Sequence, residues 1–364
     1  MKLDVIAEKI EQGSRISAGE ALRLWREAPL WLLGRLADGV RRRMNGDVLY
    51  WNCNFHIEPT NVCAFACRFC SYRRGAGDPE AWDLSIAEME QIARGYVGTG
   101  VTEVHIVGGV HPARDLWFYT DLIRRIKAIL PGAAIKAYTA VELACMIRKA
   151  GLTLDEGLRE LQRAGMGAIP GGGAEIFDPA LREQICPEKG TAGEWLAVHH
   201  AAHRLGIPTN ATILYGHVET LEQRVDHLIR LRDAQDGSLQ EGGAGFNAFI
   251  PLKFRARGNS MSGVGEVSVV EDMRMLAMSR IVLDNVPHIK AYWVMYGKAV
   301  AEMALAFGAD DLDGTIDDST RIFSMAGAEE TAPRLTVGEI GQMAAAAGLR
   351  ATERDTFYNI VTRN

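Results

Sequence analysis

A chain of 364 residues, 48% hydrophobic and 24% charged, is long enough for a large core and has none of the compositional bias of a collagen, a coiled coil or a disordered tail. The 40 Lys and Arg against 46 Asp and Glu leave a formal charge of -6, so no broad surface for nucleic-acid phosphates is expected. The first residues, MKLDVIAEKIEQGSR, carry charges throughout and no apolar run, and no stretch is long and apolar enough to span a membrane. Six cysteines in such a chain do not read as a disulfide framework, and the cytoplasm is the expected location.

Helical patterns open the chain. One covers 3–11; a second runs from 18 to about 25 behind Ser17-Ala-Gly-Glu20, a capping box in which the serine oxygen and the glutamate satisfy each other's neighbouring N–H groups; a third covers about 29–44. Eight strand-like runs follow, at 48–58, 103–107, 134–138, 168–170, 208–214, 245–250, 288–293 and 309–312. Helical patterns near 85–98, 115–130, 140–164, 191–206, 219–236, 269–284 and 297–307 separate them. This rhythm predicts an α/β fold, a (β/α)8 TIM-type barrel with extra N-terminal helices and a C-terminal helical extension. Residues 1–47 are expected to pack on the barrel, 48–315 to form it, and 316–364 to extend the same domain with two more helical patterns and a short extended run at 350–354. The most loop-like segment, 235–245, fits as a single connection before a strand.

Three cysteines make Cys63-Ala-Phe-Ala-Cys67-Arg-Phe-Cys70 directly after the first strand-like run. With no fourth thiol in the loop, they can hold three irons of a [4Fe-4S] cubane and leave one iron open to a small molecule. The C-terminal end of a barrel strand is where such an active site belongs. The competing metal is zinc, with His56 as a fourth ligand, in a non-catalytic binding module. The register of the strand points His56 inward, and zinc motifs usually come as paired knuckles. Cys53, Cys145 and Cys186 read as ordinary core thiols.

The C-x3-C-x2-C spacing with Phe69 before the last cysteine resembles the radical S-adenosylmethionine (SAM) superfamily. That resemblance implies SAM on the open iron and an external one-electron donor of flavodoxin or ferredoxin type. It also implies SAM contacts from the Tyr72 backbone, the Gly108-Gly109 turn, Glu142 and Asn210. At Gly108-Gly109 a tight βα turn is an equally good reason for glycine, and Val110 stands where the superfamily often has a glutamate. The run Asn54-Phe-His56-Ile-Glu58-Pro-Thr60-Asn61 resembles the branch of menaquinone (futalosine-pathway) and F420 deazaflavin enzymes. Its Glu-Pro pair is the form found in aminofutalosine synthases. Further runs in keeping with that branch are Gly108-Gly-Val-His-Pro112, Lys136-Ala-Tyr-Thr-Ala-Val-Glu142 and Phe249-Ile-Pro-Leu-Lys-Phe254. The implied reaction adds the 5′-deoxyadenosyl radical to 3-[(1-carboxyvinyl)oxy]benzoate, with aryl migration and loss of carboxylate, consuming SAM and giving 6-amino-6-deoxyfutalosine. The neighbouring activities in the branch are dehypoxanthine futalosine cyclisation and deazaflavin ring formation.

The substrate so implied has two carboxylates and a flat ring, and calls for cations or amides at strand ends. Alternation puts Asn54, His56 and Glu58 on one strand face, an inward polar wall that is costly without a ligand or partners. Glu58 is the expected base or proton relay, with His56 hydrogen-bonding the substrate or orienting it. Lys253, Arg255, Lys290 and Arg182 are the expected carboxylate partners. The Gly171-Gly-Gly173 loop, with Glu175 beyond it, allows close backbone approach. Asp310, Asp311 and Asp313 lack the ligand series of a calcium loop and are expected at a strand end with a helix cap. His199, His200 and His203 lack a metalloenzyme signature and read as ordinary helix residues.

Overall fold

The computed structural model describes residues 2–315, 321–327 and 333–363. Among these residues ten strands form: β1 (Val48–Asn52), β2 (Asn54–Ile57), β3 (Glu103–Ile106), β4 (Ala134–Ala137), β5 (Met166–Ala168), β6 (Thr209–Tyr215), β7 (Phe246–Lys253), β8 (His288–Ile289), β9 (Asp311–Gly314) and β10 (Arg350–Glu353). All pair in parallel, in three ladders ordered β10-β1-β9, β2-β3-β4-β5 and β6-β7-β8. No single ladder closes on itself. Isolated parallel bridges join the ladders, Ile169 with Thr209 and Lys290 with Asp311, and β1 runs directly into β2. The order is that of a TIM-type α/β barrel, with helices covering the outer faces.

The run 48–58 is therefore two strands. The chain changes partners at Cys53, whose carbonyl accepts the N–H groups of Thr102 (2.8 Å) and Glu103 (3.2 Å), so β1 belongs to β9 and β10 and β2 belongs to β3. The pattern 140–164 is likewise two helices, Ala140–Lys149 and Leu154–Ala164, because Gly151 takes φ +69° and Thr153 starts a new capping box with Glu156. Residues 235–240, expected as loop, continue helix Leu221–Gln240. Gln235 is buried there and clamps the start of β7, accepting the Phe246 N–H (2.6 Å) and donating to its carbonyl (3.0 Å). In the C-terminal extension the extended run expected at 350–354 forms β10, which joins β1 after helix Val337–Ala346.

The N-terminal helices Leu3–Glu11, Ala18–Glu27 and Leu30–Asn45 form as expected, with the Ser17–Glu20 capping box present. The apolar core lies between strands and helices, where Val104, Ile106, Ile135, Ala137 and Ile213 are fully or almost fully buried. The barrel interior is instead charged: Glu103, Lys136, Lys290, Asp311, Asp313 and Arg354 are buried there and pair with one another. Arg354, beyond β10, reaches in to make a two-pronged contact with Asp311 (3.0 and 2.7 Å). No helix among the described residues is long and apolar enough to cross a membrane.

Candidate active site

The cysteine loop leaves the C-terminal end of β2 and is tied down before the first thiol is reached. Thr60 and Asn61 are fully buried and hold the returning segment: the Thr60 hydroxyl donates to the Trp82 carbonyl (2.8 Å), and Asn61 accepts the Trp82 N–H (2.8 Å) and donates to the Glu80 carbonyl (3.0 Å). Gly108-Gly109 packs against the same stretch. A Cβ at Gly109 would lie 2.4 Å from the Val62 carbonyl oxygen, and one at Gly108 2.8 Å from that of Thr60. The glycines are required because the loop backbone passes over them, and the Gly109 N–H donates to the Thr60 carbonyl (2.7 Å).

The Cys63 Sγ accepts N–H groups from Phe65 and Val110, both at 3.4 Å, donors that suit a thiolate ligand. Cys67 is buried, while Cys63 and Cys70 are half-buried. Among the described residues no three His, Cys, Asp or Glu side chains stand in position to enclose a metal ion. The loop thus carries three thiols and amide donors suited to a cluster. His56 stacks edge-on to His105, ring centroids 4.6 Å apart, inside the barrel, so the structure gives the reading of a zinc site made by the loop cysteines and His56 no support.

A cavity of about 210 Å3 opens inside the barrel. One wall is polar, from His56 of β2, Glu103 and His105 of β3 and Lys136 of β4; the ladder register aligns His56 with His105 and His105 with Lys136. The opposite wall is apolar, from Ile250 and Leu252 of β7 with Tyr292 and Ile322. Burial lowers the pKa of His56 to about 4 and that of His105 to about 3, so both rings are neutral at pH 7. Burial alone would raise the Glu103 carboxyl, but Lys136, Lys290 and Arg354 outweigh it and hold Glu103 ionised. A larger hollow, about 560 Å3, lies at the start of β7, at the opposite end from the cysteine loop. Its His203 is bonded through both ring nitrogens, to Ser238 (2.7 Å) and Thr209 (2.8 Å), while among the described residues His199 bonds Thr209 (2.8 Å) through Nδ1 alone.

Residues 57–231 match the radical SAM superfamily, and residues 243–363 match the CofH/MqnC C-terminal region. The aminodeoxyfutalosine synthase of Thermus thermophilus is 41% identical, over 99% of this chain and 96% of its own. That of Streptomyces coelicolor is 36% identical, over 98% and 93%. The chain belongs to the radical SAM aminodeoxyfutalosine synthase family. A cyclic dehypoxanthine futalosine synthase of Streptomyces coelicolor is 34% identical over 98% of this chain and 88% of its own, so the branch is close-knit. In fold, the chain is similar to the FeFe-hydrogenase maturase of Carboxydothermus hydrogenoformans, with a TM-score of 0.76 at 17% identity over 98% of this chain and 80% of that one. It is also similar to methylornithine synthase, at 0.72 and 16% over 95% and 97%. Membership of the radical SAM family implies a [4Fe-4S] cluster and SAM, and a small-molecule substrate.

Against that family background, the expected site residues divide sharply. His56, Gly108 and Asn210 line the cavity. Glu58 stands at the top of β2, buried, where its Oε1 accepts the Arg321 N–H (2.9 Å). Tyr72 is buried, its hydroxyl donating to the Thr60 carbonyl (3.2 Å). Glu142 closes a capping box, accepting the Thr139 N–H (2.7 Å) and hydroxyl (2.8 Å), and its other oxygen accepts the Gly108 N–H (3.2 Å). Burial raises its pKa to about 7.

The four expected carboxylate partners do not line the cavity. Lys253 faces the helix layer, paired with Asp272 (2.8 Å), because Ile250 and Leu252 take the inward positions of β7. Arg255 pairs with Glu266 (3.2 Å) and donates to the Gly327 carbonyl (2.9 Å). Arg182 is buried with Nε and both Nη atoms donating to the carbonyls of Ala174, Ile176 and Gly190. Lys290 is inside the barrel but held by Asp313, which itself lines the cavity. Among the described residues the aspartates cap no helix: Asp310 bonds His288 (2.6 Å) and the Ile289 N–H (2.8 Å), and Asp311 bonds Arg354. Gly171 and Gly172 line the cavity, and the triple glycine also serves packing within the protein. A Cβ at Gly171 would meet the Asn210 backbone at 2.7 Å, one at Gly173 the Val141 side chain at 2.5 Å, and Glu175 beyond it pairs with Lys189.

The sequence reading passed over His105, Glu103 and Lys136. The signal was available, since Glu103 and His105 alternate with the fully buried Val104 and Ile106 just as His56 alternates with Phe55, which stacks outward on Tyr96.

Proposed function

We propose that this protein joins the adenosyl group of SAM to 3-[(1-carboxyvinyl)oxy]benzoate, giving 6-amino-6-deoxyfutalosine. The observation that carries the reading is the two-sided cavity, with neutral histidines and a lysine on one wall and Ile250, Leu252 and Tyr292 on the other, which suits a flat ring bearing carboxylates. Cys63, Cys67 and Cys70 would hold a [4Fe-4S] cluster, which would supply the electron for reductive cleavage of SAM. A flavodoxin- or ferredoxin-type donor would reach it past the half-buried Cys63 and Cys70.

The chain's own residues bind, orient and exclude water. Gly108 and Gly109 offer backbone to SAM at the foot of the cysteine loop, and Glu142 fixes that turn through the Gly108 N–H. The Tyr72 backbone and Asn210 complete the SAM side. Asn210 projects into the cavity from β6, where Gly171 backs its peptide. His56, neutral and buried, hydrogen-bonds the substrate, and Glu58, one step nearer the mouth on the same face, relays the proton in the steps after radical addition.

The test is an anaerobic product analysis of the reconstituted enzyme with dithionite, SAM and the carboxyvinyloxy-benzoate, following the adenosyl group by mass spectrometry. Adenosine mass joined to the aromatic substrate with loss of CO2 is expected. Free 5′-deoxyadenosine as the main product would instead place the chain with the cyclases. Glu58→Gln should retain the cluster and SAM cleavage while product falls by about 10²-fold; unchanged turnover would remove Glu58 from the reaction.

A further inference from the structure

The polar wall contains a lysine and a histidine whose chemistry no step above uses. His105 Nε2 is buried with no hydrogen-bond partner among the described residues, in a ring that lines the cavity, an arrangement that is costly unless a ligand supplies the partner. Its neighbour across the ladder, Lys136, also lines the cavity and pairs with Glu103 at 2.6 Å. Among the interior cations Lys136, Lys290 and Arg354, Lys136 is the one that lines the cavity, and its partner is otherwise satisfied. Glu103 also accepts the Thr356 hydroxyl (2.7 Å) and lies 3.9 Å from Arg354, both from the C-terminal segment. Lys290 is held by Asp313 and Arg354 by Asp311, and neither cation lines the cavity. Lys136 can therefore turn toward an incoming anion without stranding a buried carboxylate.

We propose that Lys136 and His105 form the carboxylate-binding end of the cavity, with the aromatic ring of the ligand lying against Ile250 and Leu252. This assignment rests on the reading of the cavity as the aromatic substrate's. It has a consequence in charge. Lys136, Lys290 and Arg354 balance Glu103, Asp311 and Asp313, and the two histidines are neutral, so a carboxylate enters without a spare positive charge. The groups facing His105 are His56 from β2, Glu103 of its own strand, Lys136 from β4 and Asp313 from β9. A carboxylate set among them favours the protonated ring, so binding takes up a proton at His105.

The experiment is calorimetric titration of the reconstituted holoenzyme at pH 7 with 3-(carboxymethoxy)benzoate, which keeps both carboxylates and lacks the reactive double bond. Measuring in two buffers of different ionisation enthalpy gives the protons taken up. The native enzyme should bind with net uptake. His105→Asn should remove that uptake and weaken binding by about tenfold, and Lys136→Met should weaken it at least as much, with partial rescue by Lys136→Arg and unchanged SAM binding. Should Lys136→Met fail to fold, Glu103→Gln/Lys136→Met removes both charges together and should still show the loss. Native-like probe binding in these variants, or a loss confined to SAM, overturns the proposal. If the native enzyme makes the adenosyl adduct while Lys136→Met keeps its KM, only this assignment falls. If the native enzyme neither binds the probe nor makes the adduct, the proposed function falls with it.

Discussion

Lys136 on β4 and Lys253 on β7 are both buried lysines paired with buried carboxylates, yet they belong to opposite sides of their strands. Lys136 meets Glu103 inside the barrel and lines the cavity, whereas Lys253 meets Asp272 in the helix layer, where the Tyr215 hydroxyl also donates to Asp272 (2.7 Å). One position of register separates a lysine available to a ligand from a lysine that only holds a helix to a strand. The difference shows that charge type and strand-end location do not identify a substrate contact. The face does, and with it the question of what the counter-ion has left if the lysine moves.

The largest expected effect comes from breaking the outer pair. Lys253→Met leaves Asp272 buried with a hydroxyl donor and no cation, which should cost about 3 kcal/mol or more of folding stability while leaving KM unchanged in the protein that remains folded. Lys136→Met should be milder on stability, because Glu103 keeps Thr356 and Arg354, and should act on substrate binding instead. Denaturant unfolding of the two variants beside their KM values checks the contrast. Equal stability losses with equal KM would erase the distinction between the walls.

The same contrast explains what the sequence could and could not tell. The barrel rhythm, the N-terminal helices and the cysteine loop were legible because each has a local cause: hydrophobic period, capping boxes and a spacing of thiols. The inward face of β2 was legible by alternation, and the same rule applied to Glu103 and His105 would have found the polar wall. The phase of β7 was harder, since Phe249-Ile-Pro-Leu-Lys253 is apolar on both faces and nothing in it says which side Lys253 takes. Arg182 shows another limit: it looks like a free cation until the carbonyls of Ala174 and Ile176, in the turn after β5, and of Gly190, beyond the helix Pro179–Ile185, fold around it. The role of Arg354 was hidden by distance, because only the pairing of β10 with β1 carries it under the barrel to Asp311.

The histidines sharpen the comparison through pH. Burial lowers His56 to about 4 and His105 to about 3 in the cavity wall, and His203 and His227 to about 3 in the helix layer. Each binds a proton below about pH 6.5 in the unfolded chain but not in the folded one. Their stability contribution is therefore complete above pH 6.5 and is lost as pH falls toward 4, by up to ~1.4 kcal/mol per pH unit for each ring. Thermal melts at pH 7.5 and 5.5 should show this acid loss, and His105→Asn and His227→Asn should each reduce it. The aromatic dicarboxylate probe should reduce the acid loss in the native enzyme and in His227→Asn and less so in His105→Asn, because His105, unlike His227, lines the cavity. Equal protection of all three would argue against a ligand-linked role for His105.

The smallest effect separates two helix caps with the same chemistry. Thr139 and Thr153 each close a capping box, with Glu142 and Glu156 respectively. Thr153→Ala should remove about 1 kcal/mol of stability and nothing else, since Glu156 is exposed and serves only its own helix. Thr139→Ala should cost a similar amount, but Glu142 also accepts the Gly108 N–H at the foot of the cysteine loop. Losing the Thr139 hydroxyl frees Glu142 to shift, and the Gly108 turn loses its anchor while the thiol spacing stays intact. The expected signature is a normal iron content with a raised KM for SAM in Thr139→Ala and an unchanged KM in Thr153→Ala. A Thr139→Ala enzyme that loses stability alone would make the Glu142 contact a cap and no more, leaving the glycine turn held by the packing of Val62 and Thr60 upon it.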